Sequence, residues 1–414
     1  MPSFNLYFHS LRIKEDVCKG CTHCLRNCPT EAIRVRNRLA HIKDLKCIDC
    51  GDCVRFCPWG ANEVLADDLS ILNHFQYRVL VIPPAFLSLD FLGLSTSEVM
   101  SRIFALGFQE IYEEGIGEEA YLEETRRILT RGNVKKPLIS IACPAVIRLV
   151  QVKFPDLLPH LSPLNTPRDI LGSTIKRSLP PNSGLFYLAP CPAKVTAVRN
   201  PQGIERSPYD GVIATNLIYQ ELFRVAGSGS GKVYLSGPSG VAIGRIGGEK
   251  EFLAPLRVMA IDGITNVVRF LKELEMEKSP PLDLIEARSC PNGCVGGILL
   301  PERDSFLNLY RLEQEEKKRT NIVPSLSRKD MEDFLYLTLP IHPRPQYYLS
   351  ESVEAAAKLL RMIDKIYERL PKIDCGSCGA PTCRALAEDV ARGEASLEDC
   401  VFLGKEERQA GEKM

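Results

Sequence analysis

The chain has 414 residues, 52 basic and 52 acidic side chains, and no formal net charge. That length supplies two or three domains, and a balanced charge gives no reason to expect a nucleic-acid-binding surface. No uncharged apolar run reaches the ~20 residues of a membrane span. The opening residues MPSFNLYFHSLRIKED lack the regions of a signal peptide, so the expectation is a soluble, cytoplasmic protein. In that reducing setting 16 cysteines argue for metal or catalysis rather than disulfides.

Eight of the cysteines fall in residues 18–57, where CKGCTHCLRNCP is followed 29 residues later by CIDCGDCVRFCP. Both halves read C-x2-C-x2-C-x3-C-P, the spacing of ferredoxin cluster loops. Residues 10–65 resemble bacterial two-[4Fe–4S] ferredoxins. That resemblance implies one cluster on Cys18, Cys21, Cys24 and Cys57 and a second on Cys47, Cys50, Cys53 and Cys28. Zinc is the competing metal, but its sites usually use two separated CxxC knuckles. His23 reads as a loop side chain rather than a ligand, and Trp59 as a packing residue.

Beyond residue 66 apolar runs at Arg78–Ile82, Leu138–Ile141, Leu185–Leu188 and Leu284–Ala287 read as strands. They alternate with helical stretches such as Asn216–Ala226, which predicts an α/β middle domain. Cys143, Cys191 and Cys290 each follow a predicted strand directly, and Cys294 comes four residues after Cys290. Ligands collect beyond the carboxyl ends of strands in open α/β sheets, so these four are candidates for one site; buried, unliganded cysteine is the alternative. GSGSGKVY at 227–234 fails as a phosphate loop because Ala226 and Val233 stand where Gly and Ser/Thr are needed. The GIG at 115–117 fails the dinucleotide fingerprint.

Residues 302–349 are charged and interrupted by Pro324, Pro340, Pro343 and Pro345, and read as a connecting region with one solvated helix around Leu312–Lys318. A helix begins near Ser352, with Val353, Ala356, Leu360, Ile363, Tyr367 and Leu370 on one packed face, and Pro371 ends it. Cys375, Cys378, Cys383 and Cys400 follow, with Pro381 suited to opening a helix that carries Cys383. CGSCGAPTCRALAEDVARGEA resembles the four-cysteine iron–sulfur domain of Rnf electron-transport subunits and corrinoid iron–sulfur proteins. Four thiolates would also suit zinc.

Three middle segments, IACPAVIRLVQVKFPDLLPHLSPLNTP, APCPAKVTAV and EARSCPNGCVGG, resemble the cluster-binding motifs of iron-only ([FeFe]) hydrogenases. VIPPAFL, DGVIATNLIYQELF and AIDGITNVVRFLKELE fit the same family in order. The resemblance implies that Cys143, Cys191, Cys290 and Cys294 hold a [4Fe–4S] subcluster. Cys294 would bridge to a two-iron subcluster with CO and cyanide ligands, and Lys194 would donate to a cyanide. Cys294 and Lys194 are thus the implied catalytic residues. The departures are equally specific. Ala142 stands where the family has a proton-relay cysteine. Ala189 and Ala197 replace Met and Glu of the second motif, and Arg288 replaces a Met of the third. Ser162 and Glu123 or Glu124 match outer relay positions.

The expected architecture is therefore α/β. It comprises a ferredoxin-like α+β module (1–66), an α/β hydrogenase-like domain (67–301), a connecting region (302–349) and a small helical Fe–S domain (350–414). The leading functional expectation is a sensory or low-activity hydrogenase interconverting H2 and protons. Its rival is a non-catalytic multi-cluster electron-transfer protein without the two-iron group. Either requires a redox or signalling protein partner, since no flavin or nicotinamide site is evident.

Overall fold

The computed structural model describes residues 8–319, 322, 325–344 and 352–403. Pro324 and Pro345 lie outside the described residues, as do the outermost ends of the expected terminal domains. The chain forms two compact units. One comprises Met1–Cys47, Gly51–Val64 and Arg344–Met414, and the other Ile48–Cys50 and Leu65–Pro343.

In the first unit the strands are β1 (Leu11–Ile13), β2 (Ile33–Arg36), β3 (Leu39–Ile42) and β4 (Asn62–Val64). β1 pairs antiparallel with β4, and β2 with β3. The sequence repeat becomes a conformational repeat. Gly20 and Asp49, equivalent across the 29-residue offset, both take left-handed backbone (φ 62° and 56°). So do Thr22 and Gly51 (φ 66° and 86°), each starting a four-residue helix, His23–Arg26 or Asp52–Arg55. Left-handed residues let the chain curl tightly enough for cysteines three apart to face one point. At Gly20 a side chain is also excluded by space, because a Cβ would lie 2.7 Å from the Arg38 carbonyl oxygen.

The same unit contains the helices Val353–Arg369 and Cys383–Ala391, which pack on one another around Ile363, Ile366, Leu386 and Leu397. Ser352 caps the first, as its position predicts. The apolar stripe is only partly core: Ile363 and Leu370 are buried, but Val353 is 87% exposed and Leu360 is also exposed. Packing on the core begins at Leu359, beyond the exposed first turn, so the periodicity overstates the buried face. Trp59, expected to pack, is likewise 53% exposed.

The second unit holds two parallel sheets. Its strands are β5 (Tyr77–Ile82), β6 (Glu110–Glu113), β7 (Leu138–Ile139), β8 (Ser183–Ala189), β9 (Gly211–Ala214), β10 (Lys232–Tyr234), β11 (Val258–Asp262) and β12 (Leu284–Arg288). One sheet runs β10-β6-β5-β8-β9 and the other β11-β12-β7. β8 and Val79–Ile82 of β5 are entirely buried, which is why they read as unbroken apolar runs. The fold is α/β, as the alternation predicts. The expected solvated helix is longer and solvated on one face only: it spans Ser305–Lys317, exposes Phe306 and Tyr310, buries Leu312 against Val241 and Val295, and is followed by Arg319, ion-paired with Glu113.

Candidate metal centres

Cys18, Cys21, Cys24 and Cys57 line one cradle together with Val35 and Trp59. Burial, then the neighbouring Cys18, Cys21 and Cys57, push the Cys24 thiol up to about 12. Mutual charge sensing of this kind requires the four sulfurs to lie close together. Cys28, Cys47 and Cys53 sit in the apolar cluster of the same unit, whereas Cys50 falls in the other unit. The two Cys-Pro positions are again equivalent. Cys28 Sγ accepts from Ala32 N at 3.2 Å, and Cys57 Sγ accepts from Ala61 N at 3.3 Å. Such donors favour the thiolate and tune a bound cluster. His23 is exposed on its short helix.

In the C-terminal segment Thr382, not Pro381, caps the helix that starts at Cys383, and Asp374 Oδ1 accepts from Cys383 N at 2.6 Å. Gly376 and Gly379 flank Cys378 in left-handed backbone (φ 75° and 79°). Burial raises the Cys378 thiol pKa, with Cys375 and Cys400 adding to it, and Cys383 and Cys400 are buried in the same core.

In the second unit the strand-end rule places the remaining four cysteines together. Cys143 follows β7 and heads the helix Pro144–Lys153; Cys191 follows β8 and heads the helix Pro192–Arg199. Cys290 follows β12, and Cys294 opens a short turn. All four line one cavity, with Cys50, Ala142, Lys194 and Arg288 also on its wall. The Cys191 thiol is pushed up to about 12 by burial and then by Cys294 and Cys143. Clustered soft thiols beside a cavity fit an iron–sulfur cubane far better than a hard cation.

Both cations on the wall are already paired. Lys194 Nζ lies 2.9 and 2.8 Å from the two oxygens of Glu114, and Tyr187 OH donates to Glu114 at 2.8 Å. Burial works against the ammonium, but Glu114, Cys294 and Glu118 together outweigh it and the Lys194 pKa rises. Arg288 Nη2 lies 2.8 Å from Glu249 Oε1, which also accepts from Ser140 Oγ at 2.6 Å. Glu286, two residues before Arg288, accepts from Gly247 N and Lys250 N and so fixes the turn that carries Glu249. Glu118 is buried beside these groups with one carboxylate oxygen unpartnered. Burial, then Glu114, raises its pKa well above the ordinary value.

Sequence reading missed Glu114, Glu118 and Glu249. The available signal was the one that found the cysteines, since Glu114 directly follows β6; the run EEGIGEE instead looks like solvated charge. Of the outer relay positions, Ser162 is fully buried and its hydroxyl faces Leu164 N at 3.4 Å. Glu124 is buried and held by Tyr336 OH at 2.7 Å and Arg328 at 3.1 Å, and Glu123 is exposed.

These centres and this fold define an iron–sulfur protein related to the iron-only hydrogenases. Residues 84–227 match the family model "Iron only hydrogenase large subunit, C-terminal domain". Residues 10–58 match "4Fe-4S dicluster domain", and residues 370–402 match a further Fe-S cluster family. The fold is shared with a variant of the [FeFe]-hydrogenase HydA1 from Chlamydomonas reinhardtii, at TM-score 0.52 and 14% identity, over 67% of this chain and 98% of that one.

Among relatives, the corrinoid/iron-sulfur protein large subunit of Moorella thermoacetica is 48% identical over 46 residues, 11% of this chain. The chain thereby spans only 10% of that subunit's length. The cytosolic Fe-S cluster assembly factor narfl of Danio rerio is 22% identical over 311 residues, 58% of this chain and 75% of that protein. Iron hydrogenase 1 of Clostridium pasteurianum is 27% identical over 117 residues, 26% of this chain and 20% of that protein. Among the described residues no helix is long and apolar enough to cross a membrane.

Proposed function

We propose that the chain is a multi-cluster electron-transfer protein on a hydrogenase scaffold, without a hydrogen-activating two-iron group. In this reading [4Fe–4S] clusters occupy four thiolate sets: Cys18/Cys21/Cys24/Cys57, Cys28/Cys47/Cys50/Cys53, Cys143/Cys191/Cys290/Cys294 and Cys375/Cys378/Cys383/Cys400. The observation that carries it is the charge pairing of Lys194 with Glu114 and of Arg288 with Glu249 on the wall beside Cys294, which balances both cations even though Arg288 Nε and Nη1 keep no hydrogen-bond partner among the described residues. A two-iron group with cyanide ligands is anionic and is stabilised most by cations whose charge is not already balanced. Here each of the two wall cations is compensated by a buried carboxylate, and breaking such a pair is costly. Ala142 points the same way, because a missing proton-transfer group typically costs ~10²–10⁴ in rate. Electrons would pass to and from a redox protein partner.

A sensory or low-activity hydrogenase is the second reading, favoured by Lys194 and Cys294 lining one cavity. Infrared spectroscopy after anaerobic co-expression with the hydrogenase maturation machinery separates the two. The proposal expects no CO or cyanide stretching bands and about 16 irons per chain, four per cubane. Bands that respond to H2 would overturn it.

A further inference from the structure

Asp389 is 1% exposed and belongs to the C-terminal helix Cys383–Ala391, yet its cationic partners come from the ferredoxin module. Arg34 Nε lies 2.5 Å from its Oδ2, Arg36 Nη2 2.9 Å from the same oxygen, and Lys43 Nζ 2.9 Å from Oδ1. Burial by itself would raise this carboxyl, but Arg34 and Lys43 override it and its pKa is lowered. All these residues belong to one compact unit.

The contacts on either side of this clamp run between cysteine loops. Arg36 also donates to the Cys378 carbonyl at 2.8 Å. Val35 N donates to the Gly379 carbonyl at 2.8 Å, and Val35 lines the cradle of Cys18, Cys21, Cys24 and Cys57. Arg26, two residues after Cys24, donates to the Cys375 carbonyl. A Cβ on Gly376 would lie 3.3 Å from Leu25 Cδ2, and one on Gly379 would run into the Val35 carbonyl. The Cys375/Cys378 loop is thus in direct contact with Arg26 beside Cys24 and with Val35 of the first cradle.

Resting on the reading above that both sets hold clusters, we infer that Asp389 is a positioning residue. It fixes the C-terminal site as the electron-exchange neighbour of the Cys18/Cys21/Cys24/Cys57 site. The step moves one electron from one reduced cluster to the other, oxidised one. No bond forms or breaks and no proton moves, and an external low-potential one-electron donor refills the pair.

The test uses the full chain, reconstituted anaerobically and reduced with dithionite, with iron and zinc analysis alongside low-temperature electron paramagnetic resonance. The expected spectrum of Cys47→Ala/Cys53→Ala, in which the second ferredoxin site no longer couples to the first, shows splitting from spin coupling between the Cys18/Cys21/Cys24/Cys57 cluster and the C-terminal one. Adding Cys18→Ala/Cys57→Ala should abolish the splitting. In the same background Asp389→Ala should abolish it with iron content retained. Should that variant fail to fold, Arg36→Ala/Lys43→Ala, which keeps the Arg34 pair, should narrow it. An unsplit Cys47→Ala/Cys53→Ala spectrum with the remaining sites iron-loaded overturns the inference alone, as does splitting that survives loss of Cys18 and Cys57. Zinc at the C-terminal site overturns both the inference and the reading beneath it.

Discussion

Lys194 and Glu114, 80 residues apart in sequence, form a two-point ion pair at 2.9 and 2.8 Å, with both side chains buried. The pair joins the end of β6 to the helix headed by Cys191, so a charge next to the thiolate site is cancelled before any cluster binds. The relation is structural as much as electrostatic, since Tyr187 OH also closes onto Glu114.

Glu114→Gln keeps the volume and removes the negative charge, leaving Lys194 an uncompensated cation beside the Cys143/Cys191/Cys290/Cys294 site. A nearby positive charge stabilises the reduced, more anionic cluster. At an effective dielectric near 20 this is worth on the order of 1–2 kcal/mol, a positive shift of tens of millivolts. A spectroscopic redox titration of the variant checks it, and an unmoved potential would mean that Lys194 does not sense the site.

Asp389→Ala leaves Arg34, Arg36 and Lys43 facing a buried position without a counter-charge. Removing one member of a buried pair costs ~3–5 kcal/mol, so the C-terminal segment should detach before the rest of the chain unfolds. Hydrogen exchange should show protection lost in residues 370–403 and at Val35, whose amide bonds to Gly379, and retained in β5 and β8.

The thiols of Cys24 and Cys191 are each pushed up to about 12, first by burial. Without metal these sites stay protonated at neutral pH, and iron must displace the protons. Cluster loading should therefore weaken as pH falls and release protons, up to about four per cubane, measurable by pH-stat during reconstitution. Stripping the iron with a chelator should unfold residues 8–64, whose small apolar cluster includes Cys24, Cys47 and Cys53 among its eight buried members.

Glu119 is pushed up to about 7 from an ordinary 4.5, by burial and against donors from Gly237 and Gly240. Between those values the folded chain holds a proton that the unfolded chain has released. The group's contribution is thus fully present below about pH 4.5 and lost as pH rises through about 7. Glu119→Gln should gain stability relative to wild type across that window, by on the order of 1–2 kcal/mol after allowance for partial exposure. Melting curves at pH 5 and pH 8 check the sign.

What could be read from the sequence follows from how local each signal is. The cysteine spacings are local, and the tendency of ligands to gather past strand ends extended them to Cys143, Cys191 and Cys290 without knowledge of sheet order. The charges around the sites are not local. Glu249 meets Arg288 because Glu286 anchors the intervening turn, and no periodicity announces that. Arg34 meets Asp389 across 355 positions, so the sequence could not say that the last cysteine block lies against the first. The amphipathic helix from Ser352 misled in the other direction. Helical spacing reports which residues share a face, not whether anything covers that face, and Val353 and Leu360 are exposed.

The contact between Arg34 and Asp389 also sets an order of events during synthesis. One unit is made from both ends of the chain, while Leu65–Pro343 folds in between. The hairpin β2–β3 emerges from the ribosome early, carrying three cations that stay exposed until residue 389 follows. Loops this long close at only a modestly greater entropic cost than shorter ones, but contacts this distant in sequence form late. The ferredoxin cysteines can therefore take up iron before Asp389 is made, and the segment that carries Asp389 docks onto a hairpin already formed.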